Sequence, residues 1–444
     1  MDRRKSNLAT MVDGTPDSRD RYMDLLRAFS IAVVVLGHWL MAIVYFDGSR
    51  LDGANALDTV PGLWLLTWVL QVMPIFFIVG GFSNLVAWRS IKKRGSGYAD
   101  YMRSRTARLM RPTLVFVVVW TLVTTVATFA APGSLAAMSK ATELIAKPLW
   151  FLAVYVLVVA LAPIMVAFHE RHGVRVLVVL TGAAVVVDLV RIVAEVPAVG
   201  YLNFAFVWLF AHQLGFFYSD GTLAAFTRRF YVGTAVGCLA LLGVLTGSGI
   251  YSPSMVGMQT DAASNNSPPS ICLIVLTGWL LSAVMLVRPA ASRWLQQRKN
   301  WAAVVAANSM IMTVFLWHLT ALLVAVLVLY PIGFPQPRGG TSVWWAWRPV
   351  WIVVLSVILA GFVAVFAKFE RPKAQTSGPL ALPGLLTTGA VAALVLGLAG
   401  FAQFGFAWEP SIGIAQLPSQ AWFNAALVIT GYQVLASRRR SIGG

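Results

Sequence analysis

The stretch RYMDLLRAFSIAVVVLGHWL, from Arg21 to Leu40, decides the class of this fold. It is long and apolar enough to cross a hydrocarbon core about 30 Å thick as a helix. Yet it carries a guanidinium, Arg27, and an imidazole, His38. Ionisable groups are costly in lipid and usually mark a functional path. Eleven residues at about 100° each return to within about 20° of the starting direction, so both side chains share one face, about 16 Å apart along the axis. With Arg27 snorkelling to the inner surface, His38 falls near the middle of the bilayer.

The rest of the chain repeats this apolar pattern. Of 444 residues, 58% are hydrophobic and 11% are charged, and mean hydropathy is +0.75. Apolar runs of spanning length fall at about 22–46, 62–88, 104–130, 148–168, 174–193 and 200–218. Six more follow at about 231–248, 271–287, 302–330, 347–367, 383–407 and 421–436, the last short enough to lie in the interface instead. The expected fold is an all-α polytopic transmembrane helical bundle of about 12 spans. The first 21 residues form a polar cytoplasmic tail, and the apolar run after them is too long for a signal-peptide core, so it is expected to be retained.

A net charge of +17 in such a chain points to the membrane rather than to nucleic acid. One set of alternate loops holds Arg3, Arg4 and Lys5, Arg89 to Arg94, Arg171 and Arg175, Arg228 and Arg229, Arg288 to Lys299, Lys368 to Lys373, and Arg438 to Arg440. The other holds only Arg50, Lys140, Lys147, Arg338 and Arg348. The asymmetry predicts both termini in the cytoplasm. Cys238 and Cys272 fall at different depths, so no disulfide is expected. There is no Walker loop, no dinucleotide glycine fingerprint and no H-E-x-x-H, which excludes a soluble nucleotide-binding domain and gives no metal set.

The polar residues left in the apolar runs are the candidate site. His318, in FLWHL, falls at a depth similar to His38, and a neutral imidazole suits general-base work near neutral pH. YMRSRTARLMRP places Arg103, Arg105, Arg108 and Arg111 at the inner surface. Arg105, Arg108 and Arg111 follow at three-residue spacing, so neighbours share a helix side. Read alone, the cluster fits either positive-inside charge facing anionic headgroups or a clamp for phosphate. Asp24 with Arg27, and Asp188 with Arg191, are pairs three residues apart, of either structural or acceptor-side use. His212 lines the same cavity or satisfies a carbonyl; His169 and His172 read as solvated. Glu370, in KFERP, is placed to pair with an arginine, and Gly80-Gly81 to pack helices closely.

Together these segments resemble the acyltransferase-3 family of integral membrane O-acyltransferases. Arg27, ten residues and then His38 fit its first-helix motif. MPIFFIVGGF (Met73 to Phe82) is similar to its second-helix segment, with Gly80 where serine is usual. RSRTARLMRP resembles its arginine motif, and PLWFLAVYVLVVALAP, with Trp150, its Trp-Phe helix. NSMIMTVFLWHL (Asn308 to Leu319) and FERP (Phe369 to Pro372) resemble its late segments. On this resemblance, residues 22–372 form an acyltransferase-like domain of about ten helices, and 373–444 add two helices and a basic tail.

The resemblance implies transfer of an acyl group, commonly acetyl, from cytoplasmic acyl-CoA to a hydroxyl of an envelope glycolipid or glycan. Arg105, Arg108 and Arg111 would hold the CoA phosphates. Arg27 would hold phosphate or the thioester arm. His38 would act as general base or become acylated, and His318 would orient the acceptor or share the proton. The richness in alanine, valine and arginine points to a GC-rich bacterial genome, hence to the plasma membrane and an acceptor such as a trehalose lipid. Oligomeric state is not legible. The rival is a twelve-helix secondary transporter of the major-facilitator type, which binds solute at mid-membrane; no matching six-helix halves and no long central loop are visible.

Overall fold

The computed structural model describes residues 2–46, 51–130, 135–258, 262–370, 383–406 and 419–437. Helices α1 (Asp2–Asp13) and α2 (Arg21–Met41) precede strands β1 (Ala42–Phe46) and β2 (Leu51–Asn55). Short helices α3 (Ala56–Thr59) and α4 (Thr67–Leu70) lead into α5 (Met73–Lys93), α6 (Tyr98–Ala130), α7 (Leu135–Ala146), α8 (Pro148–His172), α9 (Arg175–Val193) and α10 (Asn203–Ser219). The chain continues through α11 (Arg228–Gly247), α12 (Ile271–Trp294), α13 (Arg298–Ser309), α14 (Ile311–Leu329) and α15 (Ser342–Phe366), then α16 (Gly384–Phe404) and α17 (Ser419–Ala436). The expected boundary at 372/373 and the basic run Arg438 to Arg440 lie outside the described residues.

The chain is a polytopic bundle of helices. Among the described residues, ten helices are long and apolar enough to cross a membrane. The other two runs read as spans form α10, of 17 residues, and α17, of 18.

Three runs read as single spans are broken, each where the sequence offers another use for its backbone groups. The first helix ends at Met41, not near 46, and AIVYF continues as β1, which pairs with β2. Val and aromatic residues favour that extended backbone. Gln336 extends the pairing: its Oε1 accepts from the Phe46 N–H at 2.9 Å and its Nε2 donates to the Phe46 carbonyl at 3.0 Å. The second run breaks between α4 and α5 at Gln71 and Val72. The run 302–330 breaks at Met310, between α13 and α14.

The contacts divide the chain into two units. The first comprises residues 1–41, 55–86 and 162–311. Within it α5 crosses α10 at glycine: a Cβ on Gly81 would strike the carbonyl of His212, and one on Gly215 the carbonyl of Ile78. Phe77 stacks on Trp208 beside the crossing, with centroids 4.6 Å apart.

The described part of the segment between α11 and α12 is folded onto this unit rather than loose. Asn265 Nδ2 donates to the carbonyls of Ser252 and Ser254, and Trp68 and Gln71 donate to those of Pro253 and Met255. Asp188 and Arg191 fasten it. The Asp188 carboxylate accepts from the Ile271 N–H at 2.8 Å, Asn203 Nδ2 at 3.0 Å and the Tyr251 hydroxyl at 3.1 Å, so it caps α12. Burial, and next the Asp188 charge, hold the Tyr251 hydroxyl above its usual pKa, which keeps it a donor. Arg191 donates to the carbonyls of Pro268 and Ser264. This pair is an anchor of the fold.

The second unit comprises residues 42–54, 87–161 and 312–444. Helix α14 is fixed in it by aromatic side chains. Trp317 stacks on Phe366 at 4.1 Å and meets Phe116 edge-on at 5.3 Å, while Trp120 Nε1 donates to the Thr320 hydroxyl at 3.2 Å. Helices α16 and α17 form a hairpin that lies along α6. Gly397 and Gly431 allow its close approach, since a Cβ on either would meet the partner helix at 2.6–2.8 Å.

Replacing Gly81 by valine should therefore lower the thermal midpoint of the detergent-solubilised protein, at a cost of about 2 kcal/mol or more. Gly182→Val on α9, where a Cβ would meet nothing within 4 Å, should be close to neutral. Equal midpoints for the two variants would refute the crossing.

Candidate active site

In the first unit the start of α2 carries a charge network. Buried Asp24 accepts from Arg19 Nε at 2.6 Å and from Arg27 Nη1 at 3.2 Å. Arg27 Nη2 donates to the Ser83 hydroxyl on α5 at 3.0 Å. Asn308 on α13 donates to the Asp24 carbonyl at 2.9 Å. Arg27 is thus oriented by a carboxylate and a hydroxyl, rather than extended freely toward the surface. Ser83 was not anticipated. The resemblance places serine at the position of Gly80, and Ser83 lies one helical turn further on, where it meets nearly the same face.

His38 is half-buried in the last turn of α2. Because that helix stops at Met41, the imidazole sits about 4–5 Å along the axis from the helix end. His212 is fully buried on α10 and takes its hydrogen bond from a side chain, Asn84 Nδ2 at 3.0 Å, brought near by the Gly81 crossing. His169, read as solvated, is buried. Helix α8 continues through it, its Nε2–H donates to Asp220 at 2.9 Å, and Gln213 Nε2 donates to its Nδ1 at 2.7 Å. His172 is exposed.

In the second unit the arginines of α6 differ in their partners. Arg103 pairs with Asp100 at 3.0 Å. Arg105 has no carboxylate partner among the described residues, and its Nε is buried without a hydrogen bond. Arg108 is exposed and acts electrostatically on Glu370. Arg111 has no carboxylate partner among the described residues either; its Nε donates to the Tyr432 hydroxyl on α17 at 3.2 Å.

Glu370 ends the short turn after α15 and is 4% exposed. One carboxylate oxygen accepts from the Met312 N–H at 3.0 Å; the other accepts from the Thr313 N–H and the Thr313 hydroxyl, each at 3.0 Å. These N–H groups are orphaned by the break at Met310, and a carboxylate is the strongest cap they could have. Glu370 therefore joins the arginine helix α6 to the helix bearing His318.

His318 is fully buried on α14, and its Nδ1 lies 2.6 Å from the Phe315 carbonyl. A carbonyl only accepts, so Nδ1 carries a proton. Trp150, at the start of α8, lies edge-on to Phe151 at 6.2 Å.

Arg105 and Arg111 on α6 thus lack a carboxylate partner among the described residues, and α14 carries a buried imidazole. Residues 20–369, about four-fifths of the chain, match the acyltransferase-3 family profile, described as an acyltransferase domain. Fold and match together define a multi-pass membrane acyltransferase. The chain belongs to the acyltransferase-3 family. No curated protein and no solved structure matches it.

Removing the cap should be costly. Glu370→Ala strands two buried N–H groups and should destabilise by about 2–4 kcal/mol, with Glu370→Gln intermediate. Thermal unfolding in detergent should rank wild type above Gln above Ala, and an Ala variant as stable as wild type would contradict the capping role.

Proposed function

We propose that the protein is an O-acyltransferase of the bacterial plasma membrane. It moves an acyl group, acetyl in the simplest case, from cytoplasmic acyl-CoA to a hydroxyl of an envelope glycolipid or glycan, of which a trehalose lipid is one example. The observation that carries this reading is the state of α6. Arg105 and Arg111 hold guanidinium groups on this helix without a carboxylate partner among the described residues, which leaves their charge to be answered by an anionic ligand. Acyl-CoA supplies phosphates for paired, charge-assisted hydrogen bonds. Arg108, exposed and beside Glu370, completes the set.

His38 is the proposed general base. The acceptor hydroxyl gives its proton to the neutral imidazole as its oxygen attacks the thioester carbonyl. The C–S bond then breaks, and the CoA sulfur leaves with the proton returned by the imidazolium. Arg27, held by Asp24 and Ser83, keeps the donor arm in line. His318, whose Nδ1–H is committed to Phe315, is the second histidine of the proposal, to orient the acceptor or share the proton. Both termini face the cytoplasm, so donor and acceptor arrive from opposite sides of the bilayer.

Purified protein given acetyl-labelled acetyl-CoA and envelope glycolipid extract should transfer label to lipid. Solute uptake driven by an ion gradient, without transfer, would support a transporter instead. His38→Ala should lower turnover about a hundredfold to ten-thousandfold while the protein stays folded; near-normal turnover would remove His38 as the base. Sealed inside-out vesicles should use acetyl-CoA from the bath and right-side-out vesicles should not. Equal activity in both would overturn the cross-membrane arrangement.

A further inference from the structure

Helices α16 and α17 lie outside the residues that match the family, yet α17 packs along α6, the helix that carries the arginines. Two side-chain hydrogen bonds set its register. Trp422 Nε1 donates to the Thr125 hydroxyl at 3.1 Å toward one end of the contact. Toward the other, Arg111 Nε donates to the Tyr432 hydroxyl at 3.2 Å. Trp422 and Tyr432 are ten residues apart, and Thr125 and Arg111 fourteen in the opposite chain direction, so the helices run antiparallel over about 15–21 Å. Between these points Phe406, just beyond α16, meets Phe116 of α6 at 5.9 Å and Phe401 at 4.5 Å. The hairpin is therefore seated against α6 by packing that does not need Tyr432.

This leaves the Tyr432 contact to be explained. A phenol oxygen is a weak answer to a guanidinium in a membrane helix, because it removes no charge. It does fix the plane of the group. With Nε committed to Tyr432, the two terminal nitrogens of Arg111 stay together as a fork, the geometry that binds a phosphoryl group through parallel hydrogen bonds. The Tyr432 oxygen accepts from Arg111, so its own hydrogen remains available to donate. Both side chains are only half-buried, which leaves access for a ligand.

We propose that Tyr432 completes the donor-phosphate site: its hydroxyl orients the Arg111 guanidinium, and the pair binds one phosphoryl group of the acyl-CoA. The C-terminal hairpin is then a working part of the acyltransferase, delivering a positioning residue to the arginine helix. The proposal rests on α6 being the donor site, and its test separates the two claims.

The full-length protein in detergent is titrated with coenzyme A by calorimetry. Tyr432→Phe keeps the ring and loses one hydroxyl, so it should weaken binding about three- to tenfold with an unchanged thermal midpoint. Arg111→Ala should weaken binding about tenfold or more, and adding Tyr432→Phe to it should cost nothing further, because the tyrosine acts through the arginine. Trp422→Phe, which loses the hydrogen bond at the far end of the contact, should bind as wild type does. Loss on Arg111→Ala with none on Tyr432→Phe would leave the donor site standing and overturn the role of Tyr432. Additive losses, or an equal loss on Trp422→Phe, would reduce the contact to general packing and overturn it too. Unchanged affinity in Arg111→Ala would remove this arginine from the donor site and the inference with it.

Discussion

The hydrogen bonds from Met312 and Thr313 to the Glu370 carboxylate are the contact on which the second unit depends. Lipid offers no partner for free backbone groups, so a helix cannot restart inside a membrane bundle unless protein answers its first N–H groups. Here the answer comes from about sixty residues away in sequence. A carboxylate at that point also carries charge, which suits the positive end of the helix and places an anion near Arg108. One side chain thus sets the start of the helix that bears His318 and ties it to the arginine helix.

The same constraint sorts the remaining charges. Asp24 is answered by Arg19 and Arg27, Asp188 by Tyr251, Asn203 and the first N–H of α12, and His169 by Asp220 and Gln213. These groups have a structural use that accounts for their cost. Arg105 and Arg111 have no carboxylate answer among the described residues.

Much of this was legible in the sequence because lipid solubility and helical periodicity act locally. The apolar runs, the shared face of Arg27 and His38, the place of Glu370 near an arginine and the small-residue contact at Gly81 follow from composition and spacing. The helix breaks were not legible. Hydropathy records transfer of side chains into lipid and is blind to which backbone groups find partners, so 302–330 read as one span and 22–46 as another. Ser83, Asn84 and Gln213 were missed for a related reason: each matters through a residue on a different helix, and no local pattern encodes that pairing. His169 read as solvated because it sits among charges next to a loop, although α8 continues through it. The docking of α17 on α6 likewise arises from Trp422 and Tyr432 meeting Thr125 and Arg111, far away in the chain.

Helix α6 is the proposed seat of the donor, and Arg105 tests that most directly because its Nε is buried without a hydrogen bond. The decisive measurement is the affinity of purified full-length protein for coenzyme A, by calorimetry, in wild type, Arg105→Ala and Arg105→Lys. A charge-assisted hydrogen bond contributes roughly 1.5–3 kcal/mol, so the alanine variant should bind about tenfold to a hundredfold more weakly. Lysine, lacking the planar fork, should recover only part of the loss. Coenzyme A affinity unchanged across all three proteins would contradict the account and return the arginines of α6 to ordinary surface charge facing the lipid headgroups.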